Sequence, residues 1–179
     1  MQGFWPLALT VLLWAADPPT INPFGPPAAT RDDALPGRIQ LSDGTTFRGR
    51  IYLTRDHGLK IYDESSQRQR EVPLRSVRQI DCRVKQERME REWRFKETAS
   101  DQKLYTGRSY PQREYVHTIT LTDGRTLTGP MSAVVYLDPN AGPKNTKTFL
   151  LHQRDKGAVG KDLSSLVYVK TIKIEAPNP

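Results

Sequence analysis

Ile39-Gln40-Leu41-Ser42-Asp43-Gly44-Thr45-Thr46-Phe47-Arg48-Gly49-Arg50-Ile51 is the stretch on which the fold is read. Apolar and polar residues alternate on both sides of Asp43-Gly44, so each arm reads as a strand with one buried face. Glycine takes a positive φ without steric cost, which suits a tight hairpin at that point. Gly49, inside the second arm, predicts a bulge or sharp bend. Eighty residues further on the pattern returns as Ile119-Thr120-Leu121-Thr122-Asp123-Gly124-Arg125-Thr126-Leu127-Thr128-Gly129-Pro130-Met131. Ile, Leu, Asp, Gly, Thr and Gly coincide in register, and the other apolar positions match in kind. Such self-similarity predicts an internal duplication.

Working outward, the first copy continues with a third strand over residues 59–62 and a fourth over residues 70–74. Leu74, Val77 and Ile80 are spaced by three, which predicts a single 3₁₀ turn leading into a fifth strand. In the second copy, residues 148–153 read as the third strand and Asp155-Lys156-Gly157 as a turn. Leu163, Leu166 and Val169 repeat the spacing by three, and residues 167–174 supply the last strand. The expected fold is mainly β: two tandem five-stranded small barrels, residues 37–84 and 116–174. An aromatic-rich hairpin segment, residues 85–115, joins them, and residues 175–179 form a tail. With 36% hydrophobic residues the chain has a modest apolar supply, which suits narrow barrel cores.

The pattern Ile39-x-Leu41-x-Asp43-Gly44-x-x-Phe47-x-Gly49-x-Ile51, followed by Asp56-His57-Gly58-Leu59, resembles the first half of the Sm-like family. The resemblance covers roughly 40 residues of each copy and implies a five-stranded small barrel. Sm-like proteins typically bind single-stranded RNA through loop residues in a ring of subunits. The residues that carry that activity are not matched here. The family's base-contacting Asn before the third strand is absent, and Gly58 stands near its place. Leu74-Arg75-Ser76-Val77 lacks the glycine that follows the family's basic residue, and Leu163-Ser164-Ser165-Leu166 lacks both. A proline-rich stretch replaces the usual N-terminal helix. The resemblance therefore implies the fold and not RNA binding.

Residues 4–16 carry no charge and are too few to span a bilayer, which needs ~20 apolar residues. They match the apolar region of a signal peptide, with Ala15 and Ala16 offering a cleavage point, so residues 1–16 are expected to be removed on export. Residues 17–27 contain five prolines, which exclude helix and inner strand. Residues 17–36 thus read as an extended linker, and the mature chain as periplasmic or extracellular with no membrane span. The lone cysteine, Cys82, suits such an oxidising compartment and reads as a small buried side chain in a strand. One cysteine and three scattered histidines, His57, His117 and His152, lack metal-ligand spacing. The net charge of +7 favours anionic partners but is spread along the chain, as on a generally basic surface.

The segment between the copies is where a binding site is expected. Residues 87–92 suit a short helix or a long charged strand. Trp93-Arg94-Phe95-Lys96 and Lys103-Leu104-Tyr105-Thr106 read as a hairpin, and residues 107–111 as a turn. Aromatics interleaved with cations suit a polysaccharide, a peptide or single-stranded nucleic acid, because rings stack while cations meet anionic groups. Trp93, Phe95, Tyr105, Arg108, Tyr110 and Arg113 are the candidate binding residues. Within this set Trp93 and Phe95 are expected to be buried between the barrels, with Tyr105 and Tyr110 partly exposed beside Arg108 and Arg113. No phosphate-cradling glycine loop or nucleophile elbow occurs. Asp32-Asp33 and Asp63-Glu64 read as solvated pairs in linker or turn. The expectation is therefore an exported, non-enzymatic interaction or envelope-associated module without cofactor or metal. Its partner would be a protein or an anionic envelope component. The alternative is an Sm-like nucleic-acid binder.

Overall fold

A computed structural model describes residues 31–97, 101–139 and 145–175. The signal-peptide reading and most of the linker reading lie outside the described residues, as does the tail beyond Glu175. The fold is mainly β and antiparallel. Its strands are β1 (Leu35–Leu41), β2 (Thr46–Tyr52), β3 (Leu59–Asp63), β4 (Arg68–Val72), β5 (Val77–Phe95), β6 (Lys103–Leu121), β7 (Thr126–Gly129), β8 (Ala133–Asp138), β9 (Lys147–Leu151), β10 (Arg154–Lys156) and β11 (Val169–Ile174). Single 3₁₀ turns, Leu74–Ser76 and Leu163–Ser165, precede β5 and β11 as the spacing by three predicts. β8 is a strand that the sequence reading passes over, and residues 154–156 form a short strand where a turn is expected. Among the described residues no helix is long and apolar enough to cross a membrane.

The two Asp-Gly hairpins share their geometry closely. Gly44 has φ +89° and Gly124 φ +88°. In each loop the Asp Oδ1 accepts the backbone N–H two residues on, Asp43 from Thr45 at 2.9 Å and Asp123 from Arg125 at 3.0 Å. Gly49 and Gly129 mark no bulge; both pair in regular register, with Gly37 and His117. Their role is close approach. A Cβ on Gly49 would collide with the Asp138 carbonyl, and one on Gly129 with the Tyr62 carbonyl.

Those collisions mark a pairing that the tandem-barrel expectation does not contain. β1–β2 lies between β11 and β8. β6–β7 lies between β5 and β3, the latter joined through the Tyr62 N–H to the Pro130 carbonyl and the Glu64 N–H to the Thr128 carbonyl. Each hairpin is thus embraced by strands from the other half of the chain. The principal sheet runs β10-β6-β5-β11-β1-β2-β8-β9, with β7 also on β6, while β3–β4 forms a second small sheet. No closed barrel is present among the described strands. The physical reason is the β5–β6 connection. Two strands of 19 residues each, joined by a short loop, pair at little closure cost. β6 therefore takes the edge of β5 that a self-contained first unit would give to β1, and β1 pairs with β11 instead.

These pairings enclose a shared core. Ile39 and Ile51 from the first hairpin, Ile61 and Ile80 from β3 and β5, Ile119 from the second hairpin, and Val135, Leu137 and Ile172 from the last third belong to a single buried cluster.

Candidate functional site

The β5–β6 ribbon is the element that carries the candidate site. Residues 87–92 are strand, so the charged stretch resolves to its extended alternative. Near the base, β6 has neighbours on its other edge: β10 beside Gln112–Glu114 and β7 beside His117–Thr120. Towards the tip, Trp93 pairs with Tyr105, Arg94 with Leu104 and Phe95 with Lys103, and among the described residues only the two ribbon strands pair there. The expected hairpin is present. The expected turn at residues 107–111 is instead part of β6, where Gly107 at φ +79° lies in an irregularity opposite Glu92.

Residues directly opposite, and residues two apart along a strand, share a face. One face of the tip therefore carries Trp93, Phe95, Lys103 and Tyr105. The Trp93 and Phe95 rings meet edge to face at 5.0 Å. The Lys103 ammonium sits 4.2 Å from the Trp93 ring centroid, and the Arg91 guanidinium 4.4 Å from that of Tyr105. These rings are open to solvent: Trp93 is 37% exposed, Phe95 54% and Tyr105 55%. The expected burial of Trp93 and Phe95 is thus overturned. The reason is ribbon length, which carries both rings past the last neighbouring strand.

Arg108 lies with Glu92 rather than with the aromatic cluster. Its Nε donates to Glu92 at 3.0 Å, and the Thr106 hydroxyl donates to the same carboxylate at 2.5 Å. The Thr106 hydroxyl first, and the guanidinium second, hold the Glu92 carboxyl below the usual carboxylate range.

Tyr110 and Arg113 belong to the base, and both are buried, at 8% and 9% exposure. The Tyr110 hydroxyl donates to Glu90 at 2.8 Å, and the Lys156 ammonium caps its ring at 3.9 Å. Arg113 donates to the Leu166 carbonyl at 2.9 Å, to the Leu163 carbonyl at 3.1 Å and to Glu87 at 3.0 Å. It fastens the second 3₁₀ turn to the ribbon. The expected exposure of Tyr110 is therefore corrected: the chain after β10 folds over it, tied by the Gly157 N–H to the Pro111 carbonyl and the Gly160 N–H to the Ser109 carbonyl.

Of the six candidate residues, then, Trp93, Phe95 and Tyr105 share the aromatic surface, Arg108 pairs apart from it, and Tyr110 and Arg113 anchor the base. Two members of the surface escape the sequence reading. Arg91 is two residues before Trp93 and so shares its side of a strand, a signal that was legible. Lys103 requires the cross-strand register, which the spacing alone does not supply.

Elsewhere, Cys82 is buried as expected, and burial pushes its thiol up to about 12. His57 borders a concavity of about 840 Å³ with Asp33, Asp56, Glu71 and Arg75. Among the described residues no group of three or more His, Cys, Asp and Glu is placed to hold a metal ion. Comparison of the chain with protein-family models, with curated proteins and with solved structures returned no match.

Proposed function

We propose that the chain is a non-enzymatic binding module, acting outside the cytoplasm after export, and that the ribbon tip is its contact element. The observation that carries this reading is the exposed cluster of Trp93, Phe95 and Tyr105 with Arg91 and Lys103 beside it. Exposed large rings on a ribbon with no strand beside them contribute little to folding and much to contact. Rings with interleaved cations suit a partner that is flat and anionic, and an acidic envelope polysaccharide meets both conditions. The net charge of +7 acts in the same direction over longer range.

The strand order supports a finer reading of the fold. β11-β1-β2-β8-β9 and β5-β6-β7-β3-β4 each run last, first, second, third, fourth, the order of a five-stranded small barrel. The reading is two Sm-like units descended from a duplication, with their first hairpins exchanged. Matching loop bonds at Asp43-Gly44 and Asp123-Gly124 support the duplication.

The test pairs stability with binding. Trp93→Ala and Tyr105→Ala should leave the melting temperature unchanged while weakening retention on an alginate or hyaluronate affinity gel at low salt. The mature chain should begin near Asp17 and be recovered outside the cytoplasm. Loss of melting temperature without loss of retention would make the rings structural. Retention of a single-stranded RNA oligomer in preference to either polysaccharide would favour the nucleic-acid alternative.

A further inference from the structure

The outward face of the principal sheet carries a second candidate surface. Ile39, Ile80, Ile119 and Ile172 belong to the core on β1, β5, β6 and β11. Their neighbours along each strand therefore point outward. The register aligns those neighbours in a row across the sheet. Arg48 of β2 stands opposite Arg38 of β1, Arg38 opposite Lys173 of β11, and Lys173 opposite Gln79 of β5. Thr120 of β6 and Thr126 of β7 continue the row. Beside the cations the next row holds Thr46, Gln40 and Thr171.

Three cations thus sit directly opposite one another on adjacent strands. At ~4.8 Å per strand they span about 10 Å. Like charges so placed repel and weaken a sheet. Elsewhere Arg88, Arg113, Arg125 and Arg154 each reach a carboxylate. Among the described residues Arg38, Arg48 and Lys173 take part in no ion pair and cap no aromatic ring. Asp81, on the same face, is taken by the Gln79 amide at 2.6 Å and the Thr171 hydroxyl at 3.1 Å. Arg48 is exposed, and Arg38 and Lys173 are half-buried. The charge is spread along the sequence, and the strand register gathers it here. An unbalanced row kept at a cost to the sheet points to an anion supplied from outside.

The row lies on a sheet surface, which suits a chain laid across it better than a compact small molecule. Single-stranded nucleic-acid sites add aromatic platforms to their cations. Here Tyr52 and Tyr136, further along the face, stack on each other at 5.3 Å, and the Arg31 guanidinium caps Tyr52 at 4.4 Å. The groups beside the cations are instead amides and hydroxyls, which both donate and accept as sugar hydroxyls do. We propose that this face is a second contact surface for a linear acidic polysaccharide. Arg48, Arg38 and Lys173 meet its anionic groups, and Gln40, Gln79 and Thr46 meet its hydroxyls. The choice of polymer rests on the partner proposed for the ribbon tip, but the residues are separate.

The experiment measures binding of the full chain to soluble alginate and hyaluronate across a salt series. The triple variant Arg38→Gln, Arg48→Gln, Lys173→Gln is set against Arg68→Gln, Arg70→Gln, Arg75→Gln, which removes the same charge from β4 and the first 3₁₀ turn. The row variant should bind at least about tenfold more weakly at low salt, with a shallower salt dependence, because fewer counterions are exchanged. The control should lose less than about threefold. Without polysaccharide the row variant should melt at the same temperature as the parent or higher, since opposed charges are removed. Arg48→Gln alone, at an exposed position, should weaken binding in the same direction. Trp93→Ala should weaken binding with the salt dependence unchanged. The proposal is overturned if the row and control variants weaken equally, if the row variant binds like the parent, or if the parent prefers tripolyphosphate or single-stranded RNA to both polysaccharides. Binding by the parent that survives in the row variant but not in Trp93→Ala would sink this surface and spare the ribbon tip. A parent chain that binds neither polysaccharide would overturn both.

Discussion

His117 shows how one side chain ties the fold to solution conditions. Its ordinary value is 6.5, and burial lowers it to about 4 in the folded chain. The unfolded chain therefore binds the proton more readily. Stability is full above pH 6.5 and falls as the pH drops towards 4, by about 3 kcal/mol across that window. The carboxylates held low by their partners, such as Glu90 beside Arg88 and Tyr110, lose their contribution only at more acid pH. Urea unfolding at pH 7 and pH 4.5 should show a smaller loss for His117→Gln than for the parent chain, because glutamine does not titrate. An equal loss in both would remove His117 as the cause. Nothing in the sequence marks this histidine. His117 stands before the second hairpin with no companion at ligand spacing, and its burial comes from strands distant in the chain.

The ribbon divides into a fastened base and a free tip. Arg113 reaches two carbonyls of the second 3₁₀ turn and one carboxylate, a fork that lysine cannot reproduce. Arg113→Ala should destabilise the chain by about 2–3 kcal/mol in urea unfolding, with Arg113→Lys recovering only part of it. Arg108→Ala, which breaks an exposed pair, should stay within about 0.5 kcal/mol of the parent. Similar costs for the two alanine variants would contradict the division. The alternation of Trp93, Phe95 and their partners was enough to read a hairpin and one aromatic face. It carried no information on whether another element covers that face, and so the burial of Trp93 and Tyr110 came out reversed.

Across the molecule, each hairpin pairs with strands from the other half of the chain, and both halves contribute to one buried cluster. Gly44→Val and Gly124→Val meet no steric obstacle at Cβ, so each should cost about 1 kcal/mol or more through the positive φ alone. With two independent barrels each substitution would lower a separate transition. With a shared core both should lower the same single transition by calorimetry, and a split transition in either variant would speak for independent units. The hairpins, their turn glycines, the 3₁₀ turns and most strands were readable because alternation, φ preference and spacing are local properties. The partner of each hairpin was not. The two hairpins present nearly the same edges, Ile39-x-Leu41 and Ile119-x-Leu121, and the local pattern does not choose between pairing at home and pairing across. That choice fell to the tertiary structure, where β6 follows β5 across a short connection and pairs with it, while the first hairpin pairs with β11 and β8.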